Sequence, residues 1–251
     1  MRVDAVEYGA AIARVLRWAG AGQSRYVGVA TVNNVMESYD CGGFRAVMNE
    51  ADLVTSDGMP LVWALRLLGV QHAMRVYGPD LMERLLAAAA DGGVACGLYG
   101  SSPEVLSKLV DRIGLRFPKV RMSYCWSPPF RPLTPEEDEL ITAEINSSGT
   151  RILFVGLNTP KQDCWMASHK GRVQCVMIGV GAAFEFLAGT KPQAPRWMMR
   201  CGLEWSFRLA TEPRRLWKRY LKHNPRFVAF FALQLLGLRR YGSGEKRAGL
   251  A

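Results

Sequence analysis

Residues that commonly hold metals are few in this sequence and scattered along it. The six cysteines form no CxxC pair, and His72, His169 and His223 lie far apart in the chain. No Asp-x-Asp pair, a common way to place two carboxylates on a divalent cation, occurs anywhere. These absences argue against a zinc site and a disulfide framework and favour reduced, buried thiols. We therefore predict neither a metal nor a cofactor.

A long apolar run is also missing. The longest candidate, Phe227–Leu238, is interrupted by Gln234 and is shorter than the roughly 20 residues that a membrane-spanning helix needs. The amino terminus, Met1-Arg2-Val3-Asp4, lacks the continuous apolar stretch of a signal peptide. We therefore expect a cytoplasmic protein with neither a secretory signal nor a transmembrane helix.

The first 190 residues lack an excess of either charge, with 18 Lys and Arg against 19 Asp and Glu. Residues 191–251 hold 14 Lys and Arg against three Glu, so the whole positive excess lies there. A neutral body with a basic end indicates an anionic surface or ligand met at that end. We place a boundary near Thr190, between an α/β body (1–190) and a basic, Trp-rich helical appendage (191–251). We expect the last ten residues, Gly242–Ala251, to be disordered.

Short β-rich runs alternate with helical patterns, which is typical of a parallel sheet with crossover helices. Ser102-Pro103 supplies an N-cap and a first-turn proline for one helix, and Thr134-Pro135-Glu136-Glu137 is a capping box at the start of another. Pro213 should divide the helical stretch Trp197–Lys222 in two. The predicted strands are Tyr26–Ala30, Asp52–Thr55, Val94–Tyr99, Val120–Tyr124, Arg151–Val155 and Cys175–Ile178.

Loops rich in glycine and small polar residues follow five of the predicted strands. In open parallel sheets, ligands bind outside the carboxyl ends of the strands. Backbone N–H groups at helix amino termini can then hold a phosphate or nucleotide. Ordinary turn chemistry explains any one of these loops, but five at one rim favour a binding site. They are Thr31–Asn34, Ser56–Pro60, Gly100–Ser102, Gly156–Pro160 and Gly179–Gly181.

Three charged residues near the second of these loops have two readings each. Asp57, between a strand end and Gly58, could be a general base or the N-cap of a helix opening near Pro60. Arg75 could be a ligand contact or a surface charge. Asp80 could contact a ligand or cap the next helix.

Six motifs occur in order along residues 25–222 and together resemble the WecG/TagA/CpsF family of bacterial glycosyltransferases. Such an ordered set is far more specific than any one motif. The motifs are Thr31-x-Asn33; Ala51-Asp52-x-Val54-x-x-Asp57-Gly58-x-Pro60; Arg75-Val76-x-Gly78-x-Asp80-Leu81; Gly156-x-x-x-Pro160-x-Gln162 with Trp165; Gly179-Val180-Gly181-Ala182-x-Phe184; and Gly202-Leu203-Glu204-Trp205-x-x-Arg208-Leu209-x-x-Glu212-Pro213-x-Arg215.

The resemblance implies a Rossmann-like body with a C-terminal helical appendage that docks near the active site at the membrane. It implies an inverting hexosyltransferase of cell-surface polysaccharide or exopolysaccharide biosynthesis. The donor would be a UDP-sugar carrying N-acetylmannosamine, its uronate or glucose, and the acceptor an undecaprenyl-diphosphate-linked sugar. Asp57 matches the proposed base. The matched pocket residues are Thr31, Asn33, Arg75 and Gln162, and the arginines that approach the diphosphate are Arg208 and Arg215.

Three positions depart from the family pattern. Asp163 stands where Glu is common, Glu185 where Asp is common, and Gln193-Ala194-Pro195 replaces an Arg-Ala-Pro. The missing arginine affects the donor diphosphate contacts and hence the identity of the sugar. Without an Asp-x-Asp, arginines and helix amino termini must neutralise the leaving diphosphate.

The appendage also carries a basic stripe at helical spacing, Arg208, Arg215, Lys218 or Arg219, and Lys222. With Trp197, Trp205 and Trp217 nearby, it predicts contact with an anionic membrane surface, peripherally on the inner face of the bacterial plasma membrane. The alternatives are a basic nucleic-acid-binding module, suggested by the pI near 9.6, and a dinucleotide-dependent oxidoreductase. No GxGxxG follows the first strand, and we expect no nucleic-acid partner. The oligomeric state stays open.

Overall fold

The computed structural model describes residues 1–239, which form one six-stranded parallel sheet with helices on both faces. Each of the six predicted strands is confirmed, with ends within two residues of the prediction. The strands are β1 Arg25–Ala30, β2 Leu53–Ser56, β3 Cys96–Gly100, β4 Met122–Trp126, β5 Ile152–Gly156 and β6 Val176–Gly179.

Helices connect the strands and continue after β6. Ser102 caps α6 by accepting a hydrogen bond from the Val105 backbone N–H, and Thr134 and Glu137 form the predicted capping box of α7. The helices are α1 Tyr8–Gly20, α2 Val32–Asp40, α3 Gly42–Glu50, α4 Met59–Leu67, α5 Gly78–Gly92, α6 Pro103–Arg116, α7 Pro135–Ser147, α8 Lys161–His169, α9 Ala183–Leu187, α10 Arg196–Arg200, α11 Glu204–Thr211 and α12 Pro213–Leu235.

The strand order is β2-β1-β6-β5-β3-β4, and every neighbouring pair is parallel. The sheet therefore has all its carboxyl ends at one rim, where the five loops rich in glycine and small polar residues begin. On one face it packs against α1, α5, α6 and α9, and on the other against residues of α3, α7 and α8. Because both faces are covered, the central strands carry no charged side chain except Arg25 at the start of β1.

The chain after Gly189 contains helices and no strand within the described residues. Pro213 begins α12 and separates it from α11, so the predicted division at this proline is confirmed, although α10 adds a third helix to the stretch. Pro225 lies inside α12. The apolar run from Phe227 is the carboxyl-terminal part of α12, so it is not a separate element. The predicted disordered segment, Gly242–Ala251, lies outside the described residues. None of the helices in residues 1–239 is long and apolar enough to cross a bilayer.

Helix α12 is held against α2 by charged pairs. Arg226 makes two hydrogen bonds to the Asp40 carboxylate, of 2.9 and 2.5 Å, and Lys222 Nζ lies 3.3 Å from the same group. One turn away, the buried His223 Nε2 lies 3.1 Å from Glu37 Oε1. These pairs hold α12 against the carboxyl-terminal part of α2, the helix that follows β1.

Candidate active site

A cavity of about 670 Å³ lies between the carboxyl-terminal rim of the sheet and the last three helices. Its wall combines two parts of the chain that are distant in sequence. The body contributes Thr31, Asn33, Asp57, Met59, Pro60 and Arg75, and the helices α10 to α12 contribute Glu204, Trp205, Arg208, Arg219, Tyr220 and His223, among others.

Asp57 occupies the position directly after β2. Its backbone N–H donates a 2.8 Å hydrogen bond to the carbonyl of Ala30 at the end of β1. The N-cap of α4 is Gly58, which has no side chain to accept a hydrogen bond. The N-cap reading of Asp57 is therefore wrong, and its carboxylate is directed to other partners in the cavity.

Arg75 is the main partner of Asp57. Its Nη2 lies 3.1 Å from Asp57 Oδ1, its Nε donates to the Asp57 backbone carbonyl, and the guanidinium stacks over the Tyr77 ring at 4.3 Å. The same Nη2 contacts a carboxylate oxygen of Glu204, from the first turn of α11. The Arg75 side chain is only 15% exposed, so the surface-charge reading is wrong.

This arrangement sets the protonation of the Asp57 carboxyl. Burial raises its pKa from an ordinary 3.8 to about 6, against the positive charge of Arg75 and with a further rise from Glu204. One arginine is shared by two carboxylates, so Asp57 is held in place without being fully neutralised. A buried carboxylate that ionises near pH 6 can accept a proton from a hydroxyl at neutral pH.

Basic side chains of α11 and α12 also line the cavity. The Nε atoms of Arg208 and Arg219 and the Nδ1 of His223 are buried without a hydrogen-bond partner in the described part of the chain, as is Asn33 Oδ1 on the body side. Burial lowers the pKa of Arg219, and the neighbouring Arg208 charge adds to this. Buried polar groups are normally paired, and guanidinium groups with an unpaired, buried Nε suit an anionic ligand such as a diphosphate.

Two charged residues that were predicted to bind substrate, Arg215 and Asp80, lie outside the cavity wall. Arg215 pairs with Glu212, its Nε 2.5 Å from a carboxylate oxygen. Asp80 pairs with Arg196 through hydrogen bonds of 2.8 and 3.0 Å. The N-cap of α5 is Tyr77, so Asp80 lies in the first turn and the capping reading is wrong.

Gln162 and the predicted glycines lie along the rim, outside the cavity wall. The buried Gln162 lies against the β6 loop, where a Cβ added to Gly179 would come 3.0 Å from its Nε2 and one added to Gly181 would come 3.6 Å from its Oε1. Gln162 Oε1 has no partner among the described residues. Gly156 packs so closely on the Phe184 ring that any side chain would clash with it. The structure thus gives Gly156 a packing role.

Several residues of the cavity wall are not among the substrate-binding residues predicted from the sequence: Glu204, Trp205, Arg219 and His223. Glu204 and Trp205 belong to the sixth family motif, and Arg219 belongs to the basic stripe, so the sequence contains a pattern that points to each of the three. His223 carried no signal, because its burial depends on the packing of α12 against α2. Across residues 1–239, no group of three or more His, Cys, Asp or Glu side chains could hold a metal ion.

Comparison with known proteins adds to this geometry. The family model described as "Glycosyl transferase WecG/TagA/CpsF family" matches residues 1–241. A protein of Bacillus spizizenii named N-acetylglucosaminyldiphosphoundecaprenol N-acetyl-beta-D-mannosaminyltransferase is 29% identical over 188 residues, which cover 74% of this chain and 70% of that protein. A Bacillus subtilis protein of the same name is 27% identical over 176 residues, which cover 70% of this chain and 66% of that protein.

Proposed function

Since the chain belongs to the WecG/TagA/CpsF family of glycosyltransferases, we propose that it moves a hexose derivative from a UDP-sugar to an undecaprenyl-diphosphate-linked sugar with inversion. N-acetylmannosamine is the favoured sugar, because two relatives are named for its transfer to an N-acetylglucosaminyl-diphosphoundecaprenol acceptor. The uronate and glucose are the other candidates, since Gln193 replaces an arginine of the family pattern.

The observation that carries this proposal is the Asp57 carboxylate at the cavity wall, which is largely shielded from solvent (15% exposed) and paired with Arg75 (3.1 Å). Inversion requires a single displacement, in which one base removes the proton of the acceptor hydroxyl as the oxygen attacks the anomeric carbon. In the proposed mechanism Asp57 is that base. Arg75 holds the carboxylate in position because it donates hydrogen bonds both to the Asp57 carboxylate and to the Asp57 backbone carbonyl.

The leaving UDP develops negative charge that must be stabilised. We assign this role to Arg208 and Arg219, whose unpaired Nε atoms are buried at the cavity wall. The amino terminus of α2 also lines the cavity, and the backbone N–H groups of its first turn, at Val32 and Asn33, add to this stabilisation. These groups would allow catalysis without a metal ion.

The acceptor in this proposal is a membrane lipid, so the cavity must lie close to a bilayer. Residues 191–251 contain 14 Lys and Arg and three Glu, and each basic residue near an anionic leaflet contributes about 1 kcal/mol. We propose that this segment holds the enzyme peripherally on the inner face of the plasma membrane.

A donor screen tests the proposed activity. Purified full-length protein is mixed with a lipid-diphosphate N-acetylglucosamine acceptor and, in turn, UDP-N-acetylmannosamine, its uronate and UDP-glucose, and UDP release is measured. The expected result is acceptor-dependent release with one donor strongly preferred. The Asp57→Asn variant is the matched control for background hydrolysis. No acceptor-dependent release with any of the three donors would contradict the proposal.

A further inference from the structure

The chain makes an excursion from the tip of β2 between Asp57 and Arg75. It leaves after Ser56, forms α4, turns, and returns to the same strand end. The Val76 N–H donates to the Ser56 carbonyl and the Ser56 hydroxyl to the Met74 carbonyl, each at 2.8 Å. Arg66 joins the outgoing and returning parts through a 3.0 Å hydrogen bond to Ala73. The excursion is therefore anchored at the end of β2, beside the cavity.

Large apolar side chains are exposed along this excursion. Trp63 is 44% exposed, Leu67 65%, Leu68 47% and Met74 46%. The stretch from Gly58 to Pro79 contains two arginines and no Asp or Glu. Single exposed apolar residues are ordinary, but a group of them without acidic neighbours marks an interaction surface.

The exposed face of α4 is continuous with the cavity mouth. Met59 and Pro60 line the cavity, and Trp63 and Leu67 follow Met59 at spacings of four, which places them on the same side of the helix. Trp63 also lies against Gly202, which lines the cavity and where an added Cβ would come 2.5 Å from the Trp63 ring. The excursion thus meets the loop between α10 and α11 at the mouth.

The other side of the mouth has the same character. Helices α10 to α12 and their loops expose Trp197 (62%), Trp205 (43%), Trp217 (48%) and Leu221 (68%). Exposed basic residues are interspersed with them: Arg196, Arg200, Arg214, Lys218 and Lys222. Apolar and aromatic side chains mixed with basic ones are what an element lying in a membrane interface presents.

We propose that the α4 excursion, residues 59–74, is a second membrane contact, contributed by the α/β body, so that the bilayer meets both sides of the cavity mouth. This inference rests on the proposed function, which supplies a lipid-linked acceptor. The occupant is an anionic lipid surface, because the excursion has no acidic side chain and its neighbours α10 to α12 carry the basic excess. An acceptor could then enter the cavity from the membrane without its lipid passing through water.

Vesicle binding by the full chain tests the contact. The variant carries Leu67→Gln and Leu68→Gln, and the matched control carries Leu115→Gln and Leu140→Gln, whose side chains are 84% and 65% exposed on α6 and α7. On vesicles of phosphatidylglycerol and phosphatidylcholine, the α4 variant should bind about tenfold more weakly or worse, from the lost apolar transfer of two leucines. The control should bind as the wild type does. Equal binding by the α4 variant and the wild type overturns the proposal.

A spectroscopic measurement locates the contact without relying on a polar substitution. Brominated lipids quench tryptophans that lie in the interface, so Trp63→Phe should remove part of the quenched emission. Trp18→Phe, on α1, should remove only unquenched emission. Quenching that Trp63→Phe leaves unchanged would overturn the assignment.

Two further measurements distinguish membrane contact from self-association and from a loss of catalysis. If the wild type self-associates in sedimentation velocity without vesicles and the α4 variant is monomeric, the face joins copies of this chain and the membrane proposal is wrong. Leu67 and Leu68 do not line the cavity, so transfer to a water-soluble, short-chain acceptor should be unchanged in the α4 variant. Vesicle binding requires no catalysis, so a wild type that binds through α4 but transfers no sugar counts against the proposed function alone.

Discussion

The Asp57→Asn substitution exchanges one carboxylate oxygen at the cavity wall for an amide and preserves the size of the side chain. A general base contributes about 10²–10⁴-fold to a rate, so kcat should fall by that factor. Donor binding should change little, because Arg75 retains its contacts to the Asp57 backbone carbonyl and to Glu204. The assay is UDP release under saturating donor and acceptor.

The same carboxyl should set the acid limb of the pH profile. Its pKa of about 6 means that the ionised fraction is about one half at pH 6, nine tenths at pH 7 and one tenth at pH 5. The base acts when ionised, so kcat/KM should rise tenfold per pH unit below about 6 and level off above it. With an unperturbed Asp, whose pKa is 3.8, kcat/KM would instead stay at its plateau value down to below pH 5.

Two results would refute this reasoning. One is an Asp57→Asn variant that keeps near-normal turnover with an unchanged circular dichroism spectrum. The other is a wild-type profile that stays flat down to about pH 4.5, since a buried carboxyl with a raised pKa must protonate above that value.

Three further predictions concern Glu204 beside this carboxyl, the independence of transfer from a metal ion, and the helices after Thr190. Glu204→Gln removes a charge that raises the Asp57 pKa, so the acid limb should move to lower pH; an unmoved limb would contradict the shared arginine. Transfer should survive excess EDTA, and loss of activity that magnesium or manganese restores would contradict the metal-free mechanism. A chain ending at Thr190 should stay largely soluble but lose binding to anionic vesicles and lose transfer; wild-type transfer to a lipid-linked acceptor would show that the appendage has been misread.

The parts of the fold that depend on local patterns could be predicted from the sequence. Central strands of a covered parallel sheet are apolar throughout, which made β1, β5 and β6 readable from composition. The sequence offers Asp80 as one candidate for the cap of α5, whereas the structure has Tyr77 at that position. Pro79 favours the first turn of a helix, so it was a signal for a cap before Gly78, as Tyr77 is.

The candidate site was only partly readable. Asp57 could be selected because a carboxylate beside a glycine at a strand end is a local feature. Its contact network could not, because Glu204 is separated from Arg75 by 129 positions and meets it only when α11 docks on the rim. Arg208 and Arg219 line the cavity, whereas Arg215 does not. This difference depends on how α11 and α12 pack against the body, which sequence spacing alone does not determine.

The sharing of Arg75 between Asp57 and Glu204 has a consequence for protein engineering. The body and the carboxyl-terminal helices resemble interchangeable modules, and exchanging residues 191–239 between relatives would be an obvious way to alter acceptor choice. The exchange carries one member of a buried charge triad with it. A donor segment without a carboxylate at the position of Glu204 would leave Arg75 to Asp57 alone and make that carboxylate a weaker base. Chimeras should therefore be selected first for an acidic residue at that position, and only then for the sugar or lipid they are meant to recognise.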